Sequence, residues 1–172
     1  MKLVENMPYG PKFTGTTDEP WLTRGAITFL EKILTKDMIA IEYGCGTSTS
    51  WYAQRVKHLT SVEHDKGWYD SVCKYLQFKD VKNVDIKYMD ICNGYIEIID
   101  NTGKFDMVSI DGRRRSECIM HSHSHINVGG YLLLDNAERN RYQDAIKSYL
   151  EGWKRFDFSN NIWLTSIFQK CK

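Results

Sequence analysis

The chain has 172 residues and a mass of 20.1 kDa, which is the length of a single domain. Hydrophobic residues make up 42% and charged residues 26%, a globular composition that excludes an intrinsically disordered chain. Since 23 basic side chains face 22 acidic ones, the formal net charge is only +1. No strong overall field therefore attracts a nucleic acid or an anionic membrane.

The apolar runs are too short for a membrane span, which needs about 20 residues, and residues 1–11 lack the apolar segment of a secretory signal. The five cysteines are odd in number, widely spaced and without a C-x-x-C pair. This usage favours a reducing compartment with structural thiols, so we expect a cytoplasmic protein with no membrane partner.

Residues 1–20, rich in Pro, Gly and Thr, are predicted to form an extended arm, and residues 21–172 a single domain. Helical spacing of apolar residues predicts helices over 20–34, 47–57, 68–76, 116–127 and 142–150. Short apolar runs predict strands over 38–43, 59–63, 84–88, 105–110, 130–134, 156–158 and 162–168.

Because strands and helices alternate, the pattern predicts an α/β fold with a Rossmann-like, doubly wound and mostly parallel sheet of seven strands. The last two strands have no helix between them, so they are predicted to form an antiparallel hairpin at one edge. In such sheets ligands bind beyond the carboxyl ends of the strands. The residues that follow each strand are therefore the candidate site.

After the first strand, Gly44 and Gly46 permit a tight turn and a close approach of the backbone to a ligand. Free N–H groups at Thr47 and Ser48, where the next helix starts, can hold a carboxylate or phosphate. The alternative is an ordinary turn in which Thr47 or Ser48 caps the helix. A dinucleotide fingerprint would have a third glycine where Thr49 stands.

After the second strand, Glu63 lies nineteen residues beyond Gly44. An acidic residue at about this distance commonly accepts hydrogen bonds from a ribose diol. The glycine turn and this acid together favour a ligand that contains a nucleoside over a solvated carboxylate. Asp90, after the third strand, borders the adenine or ribose in this interpretation, and an ordinary turn residue is an equal alternative.

Oxygen donors follow the fourth and fifth strands, namely Asp111, Asp135 and Asn136. Three such donors with waters can form an octahedral Mg²⁺ site. The alternative is that Asp111 caps the next helix while Asp135 and Asn136 form a turn. The three arginines at 113–115 suit a solvated face, a phosphate grip or an acidic-substrate site, and we expect at least one to be paired into the site.

These segments in combination resemble the class I S-adenosylmethionine-dependent methyltransferases. Residues 42–49 resemble the first motif of that family, and residues 61–65 resemble its second motif. Residues 105–111 and 129–136 resemble its fourth and fifth strands. The resemblance runs from about Trp21 to the C-terminus.

The resemblance implies that S-adenosylmethionine is the cofactor and that its binding residues are Glu42, Gly44, Gly46, Thr47, Ser48, Glu63, His64, Asp90 and Asp111. Asp111, Asp135 and Asn136 fall where cation-dependent O-methyltransferases of the catechol, caffeoyl-CoA and macrolide-sugar types place their Mg²⁺ ligands. Arg114 stands where the catechol type carries a lysine base. An arginine stays charged, which makes it a poor proton acceptor.

The implied activity is O-methylation of a small hydroxylated acceptor, with or without Mg²⁺. The expected catalytic residues are Asp111, Asp135 and Arg114, and the expected substrate-binding residues are Arg113, for an anionic part of the acceptor, and Asn136. Without a metal, Asp111 or Asp135 would act as general base. No nucleic-acid partner is expected.

Two other classes stay open. A nicotinamide-dependent oxidoreductase also needs the glycine turn and Glu63, although Thr49 counts against it. A non-catalytic S-adenosylmethionine-binding subunit agrees with the small size and the missing lysine. The oligomeric state is open as well, with a homodimer as one alternative.

Overall fold

A seven-stranded sheet organises residues 19–172, the part of the chain that the computed structural model describes. Its strands are β1 Ile39–Tyr43, β2 His58–Glu63, β3 Val84–Tyr88, β4 Phe105–Ile110, β5 Ile126–Asp135, β6 Lys154–Ser159 and β7 Leu164–Gln169. Their order across the sheet is β3-β2-β1-β4-β5-β7-β6. β1 to β5 are parallel, and β7 runs antiparallel to both β5 and β6. The predicted fold class is confirmed, while the predicted arm falls almost wholly on residues 1–18, outside the described residues.

Helices cover both faces of this sheet. They are α1 Arg24–Ile33, α2 Thr47–Ala53, α3 Lys66–Phe78, α4 Arg115–Ser122 and α5 Gln143–Tyr149. Successive residues of β1 face opposite sides, so Ala40 packs in the cluster of α1 and α2 while Ile41 packs in that of α4 and α5. Burial on both faces explains why the parallel strands are continuous apolar runs.

Two predicted boundaries differ from the structure. The helix predicted over 116–127 ends at Ser122, and β5 begins at Ile126 instead of Gly130. A bulge lengthens β5, because its pairing with β4 jumps from Phe105↔Ile126 to Met107↔Tyr131. Periodicity in the sequence does not reveal a strand that contains such an insertion.

The second helix, α2, ends at Ala53 and not at Lys57 as predicted. The chain turns after it, and the Lys57 N–H donates a hydrogen bond to the Met38 carbonyl, 2.8 Å away, which leads into β2. Within residues 19–172, no helix is both long enough and apolar enough to cross a membrane.

Candidate functional site

The main cleft, of about 470 Å³, opens at the carboxyl ends of β1, β2 and β4. Its walls include Gly44, Gly46, Glu63, His64, Trp68 and Asp111. β1 and β4 are neighbours in the sheet although the chain winds away through β2 and β3 between them. Ligands of open α/β sheets bind at this reversal of strand order.

The floor of the main cleft is bare backbone, because two glycines meet there. Gly44 has a φ of +94°, and a Cβ on it would lie 2.8 Å from the Gly112 Cα. A Cβ on Gly112 would lie 2.1 Å from the Tyr95 hydroxyl oxygen. The loops after β1 and β4 are therefore in direct backbone contact, and a ligand on this floor meets peptide groups.

Glu63 ties the loops after β1 and β2 together. Its side chain is buried, and Oε1 accepts hydrogen bonds from the N–H groups of His64 and Asp65, both at 2.8 Å. Oε2 accepts one from the Cys45 N–H at 3.2 Å. Oε1 also lies 2.7 Å from Nδ1 of His64, so the acceptor position left for a ligand hydroxyl at the cleft wall is on Oε2.

Glu42 is buried behind the main cleft and does not line it. Its two oxygens accept hydrogen bonds from the hydroxyls of Ser61 at 2.7 Å and Ser48 at 2.9 Å. Burial raises the pKa of Glu42 to about 7, although these hydroxyls and that of Thr49 oppose the rise. Ser48 does line the cleft, as does Thr47, so Glu42 reaches it only through Ser48.

Asp90 does not line the main cleft. The residue is exposed, and its Oδ1 accepts a hydrogen bond from the Cys92 N–H at 2.8 Å. This contact within its own loop matches the turn alternative of the sequence analysis. Thr49, where a third glycine would stand, accepts a hydrogen bond from the Gly46 N–H at 2.9 Å, so its hydroxyl stabilises the glycine turn.

A smaller adjoining cleft, of about 290 Å³, contains the other predicted group. Its walls are Trp21, Asp111, Asp135, Asn136, Arg139 and Trp163. Trp21 and Asp111 line both clefts. A molecule in the main cleft and a second one in the adjoining cleft would therefore meet beside Asp111.

The guanidinium of Arg115 lies among the three residues predicted to bind a metal. Its Nη2 donates to Asp111 Oδ1 at 2.9 Å, and its Nη1 donates to Asn136 Oδ1 at 3.4 Å. The same Nη1 lies 4.0 Å from Asp135 Oδ2, and the side chain is only 10% exposed. A permanent positive charge thus occupies the position that the predicted cation would need.

These residues, as arranged, do not fit Mg²⁺. The remaining oxygen of Asp135, Oδ1, accepts a hydrogen bond from the Thr165 hydroxyl at 2.7 Å. A divalent ion drawn to Asp111 and Asp135 would meet the charge of Arg115. Across residues 19–172 there is also no group of three or more His, Cys, Asp or Glu side chains arranged to hold a metal ion.

The carboxyl groups of Asp111 and Asp135 are electrostatically unusual. Burial raises the pKa of Asp135, while Thr165 and Arg115 oppose the rise. Desolvation by the surrounding protein also raises the pKa of Asp111. The positive charge of Arg115 lowers this pKa, and the negative charge of Asp135 raises it further. Because the Asp111 side chain is 41% exposed toward the clefts, solvent limits this rise and a ligand can reach it.

The three successive arginines point in different directions. Arg113 lines the main cleft, and Arg115 binds the carboxylates. Arg114 donates to Glu117 Oε1 at 3.2 Å and to the Ile91 carbonyl at 3.1 Å, and it lines neither cleft. Its predicted catalytic role therefore has no support in the geometry.

Several site residues were missed by the sequence analysis. The pairing of Arg115 with Asp111 had no clear signal in the sequence, because α4 begins at Arg115 and Asp111 lies before it. No local pattern marks Trp21, Trp68 or Trp163, which reach the clefts only through the fold.

Comparisons with known proteins support the fold. No protein-family model matches the sequence, and the comparison with curated proteins finds no match. Among solved structures, an rRNA methylase from Streptococcus thermophilus superposes with a TM-score of 0.67 at 15% identity, over 84% of this chain and 93% of that one. A Streptococcus mutans protein in complex with S-adenosylhomocysteine superposes with a TM-score of 0.65 at 15% identity, over 82% of this chain and 93% of that one.

A precorrin-6y C5,15-methyltransferase from Geobacter metallireducens GS-15 gives a TM-score of 0.67 at 16% identity, over 84% of this chain and 86% of that one. The chain therefore has the fold of the class I S-adenosylmethionine-dependent methyltransferases, as its motifs predicted. The named acceptors of these structures, an rRNA and a precorrin, differ in kind, so the likeness extends to the fold and not to an acceptor.

Proposed function

We propose that the protein is an S-adenosylmethionine-dependent methyltransferase that methylates a hydroxyl group of a small acceptor. The observation that carries the proposal is the meeting of the two clefts at Asp111. The main cleft, about 470 Å³, falls in the volume range of small-molecule sites, roughly 300–1,000 Å³. It is the site proposed for the methyl donor, and the adjoining cleft is that proposed for the acceptor.

The residues of the main cleft fit a nucleoside donor. The backbone floor at Gly44 and Gly112 admits the methionine part at close range, and Gly46 lines the same cleft. Glu63, with spare acceptor capacity, binds the ribose hydroxyls. His64 borders the adenine, whereas Asp90 lies outside the cleft and is dropped from this role. Glu42 acts indirectly by positioning Ser48.

Asp111 is the proposed general base. When bound, S-adenosylmethionine supplies an activated methyl group on a sulfonium. Asp111 accepts the proton of the attacking hydroxyl while the new C–O bond forms and the C–S bond breaks, its electron pair going to sulfur. The two clefts hold the reactants in line, which is the main contribution of the protein to such a transfer.

The neighbours of Asp111 control this proton transfer. Arg115 holds the carboxylate in place and keeps its charge available near neutral pH. Asp135, with Thr165, fixes the opposite wall of the adjoining cleft. Asn136 and Arg113 remain the proposed acceptor contacts, and no step is assigned to Mg²⁺.

The alternatives differ in support. β7 inserts antiparallel between β5 and β6, unlike the strand order 3-2-1-4-5-6 of nicotinamide-binding domains, which supports the methyltransferase over the oxidoreductase. A non-catalytic subunit would have the main cleft without turnover. The charges near the clefts are local and the net charge is +1, which favours a small acceptor over a nucleic acid.

Calorimetric titration with S-adenosylhomocysteine, with NADH as the matched comparison, tests the donor class. We expect micromolar binding of S-adenosylhomocysteine and none of NADH. Binding of NADH alone, or of neither compound, would overturn the proposal. Consumption of S-adenosylmethionine with hydroxylated acceptors then separates an enzyme from a binding subunit.

A further inference from the structure

A third pocket, of about 210 Å³, lies beside the two clefts and is lined by five arginines. The arginines of this arginine pocket are Arg113, Arg114, Arg115, Arg139 and Arg141. Glu117 and Tyr142 line it as well, and the Arg141 guanidinium lies 4.9 Å from the centre of the Tyr142 ring. It shares Arg139 with the adjoining cleft and Arg113 with the main cleft. A group bound in the arginine pocket therefore lies within reach of a molecule in the adjoining cleft.

The positive charge of the arginine pocket is only partly balanced. Three of the arginines have carboxylate partners, in the pairs Arg114–Glu117 at 3.2 Å, Arg115–Asp111 at 2.9 Å and Arg139–Glu138 at 4.0 Å. Within the described residues 19–172, no carboxylate lies within 4.0 Å of the guanidinium of Arg113 or Arg141. Among residues 19–172, two guanidinium groups of the pocket thus have no acidic partner.

The backbone adds to the positive electrostatic potential of the arginine pocket. The eight-residue helix α4 starts at the pocket, and no side-chain hydrogen bond caps its first turn. Free N–H groups at a helix start favour an anion. Arg114, at the cap position, has a φ of +48°, the left-handed region that arginine rarely adopts. Arg114 therefore holds an unfavourable backbone conformation at the point where the chain passes from Arg113 into α4.

We propose that the arginine pocket binds a phosphate monoester group of the acceptor, so that the substrate class is a small phosphorylated molecule with a free hydroxyl. The inference rests on the proposed function for the hydroxyl at Asp111. A phosphate monoester carries close to two negative charges at neutral pH, which matches the two guanidinium groups without acidic partners. Arginine also pairs with phosphate in a bidentate geometry.

A small molecule is favoured over a nucleic acid because the charge is concentrated. A polynucleotide backbone needs a basic stripe that follows many phosphates. Here the unbalanced guanidinium groups border one pocket of about 210 Å³, in a chain whose net charge is +1. One terminal phosphate fits this distribution better than a polymer.

Phosphate binding to the whole protein tests the site. Inorganic phosphate and phenyl phosphate are titrated by calorimetry into the wild type and into Arg113→Gln, Arg141→Gln and Lys147→Gln. Each arginine variant should bind phenyl phosphate about tenfold more weakly, the effect of losing one hydrogen bond to a charged group. Lys147 is an exposed residue of α5 outside the pocket, so its variant removes the same charge and should bind within about twofold of wild type.

The outcomes are distinct. Absence of phosphate binding to the wild type, or equal binding by all variants, overturns the proposal. In a second arm, an RNA oligonucleotide without a terminal phosphate is titrated into the same proteins. If it binds more tightly than phenyl phosphate and this binding depends on Arg141, the small-molecule assignment is overturned. Titration with S-adenosylhomocysteine in the same variants separates the two proposals, because failure of donor binding with intact phosphate binding refutes only the methyltransferase.

Discussion

The guanidinium Nη2 of Arg115 lies 2.9 Å from Oδ1 of Asp111, and Asp111 lines both clefts. The resemblance to cation-dependent enzymes had implied a metal ion beside this carboxylate. The chain instead supplies a side-chain cation. A guanidinium cannot coordinate the hydroxyl oxygen of an acceptor as a metal ion would. The role proposed for Arg115 is therefore to orient and stabilise the ionised carboxylate of Asp111.

Replacing Arg115 by Met should destabilise the fold. The change leaves the carboxylates of Asp111 and Asp135 close together without their shared cation, at a cost on the order of 2 kcal/mol after allowance for the partial exposure of Asp111. Urea unfolding measures the loss. Arg114→Met, which removes an exposed pair with Glu117 and a hydrogen bond to the Ile91 carbonyl, is the control and should cost only about 1 kcal/mol. Equal losses would contradict the central position of Arg115.

Mg²⁺ should not stabilise the wild-type protein. Arg115 competes for the same oxygens, so millimolar Mg²⁺ should leave the thermal unfolding temperature unchanged. In Arg115→Ala the carboxylates of Asp111 and Asp135 become available, and Mg²⁺ should then raise that temperature by mass action. A clear Mg²⁺-dependent increase in the wild type would show that the ion binds despite the arginine.

Asp111→Asn should abolish turnover and spare donor binding. Loss of the general base should lower kcat by roughly 10²- to 10⁴-fold, while the affinity for S-adenosylhomocysteine stays within about twofold. Because its pKa is raised, wild-type activity should increase with pH as the Asp111 carboxyl ionises and then level off. Asp144→Asn, on the exposed side of α5, is the matched control. Normal turnover of Asp111→Asn would refute its role as base.

Glu63→Gln should weaken donor binding by about tenfold or more, because an amide has fewer acceptor positions for the ribose and for the N–H groups that Glu63 holds. Asp90→Asn should change the affinity for S-adenosylhomocysteine by less than about twofold, because Asp90 lies outside the main cleft. Calorimetry compares the two variants. The reverse ranking would restore Asp90 as the cofactor contact.

Ionisation of Glu42 should make the protein less stable as pH rises. The folded-state pKa is about 7, against an ordinary value of 4.5, so between these values the folded state binds more protons than the unfolded state. The free energy of unfolding should therefore fall across this range, by up to about 3 kcal/mol from this group. In Glu42→Gln the fall between pH 5 and pH 8 should be smaller by this amount, measured by urea unfolding. Parallel curves for the two proteins would refute the assignment.

Much of the sheet could be predicted because its signal is local. Apolar runs buried on both faces identify β1, β2 and β4, and their alternation with amphipathic helices fixes the parallel arrangement. The start of β5 at Ile126 could not be predicted, because the bulge opposite Phe105 breaks the pattern that would reveal it. The end of α2 depends on a bond between Lys57 and Met38, which is a contact of the folded chain.

The candidate site shows the same division. Gly44 and Asp111 directly follow a strand, and Glu63 and Asp135 each end one, so their meeting at one edge could be predicted from the order of elements. The choice among the arginines at 113–115 could not, because it depends on the path of the chain around Arg114, whose φ is +48°. No pattern in the sequence marks this conformation.

The contact between Gly44 and Gly112 has an evolutionary consequence. Each position forbids a side chain partly because of the other, since a Cβ on Gly44 would meet the backbone of residue 112. A larger residue at either position would require the two loops to separate, which would reshape both the proposed donor site and the proposed base at once. Lineages of this protein should therefore keep or lose the two glycines together, and a relative that lacks one of them should have abandoned the same ligand.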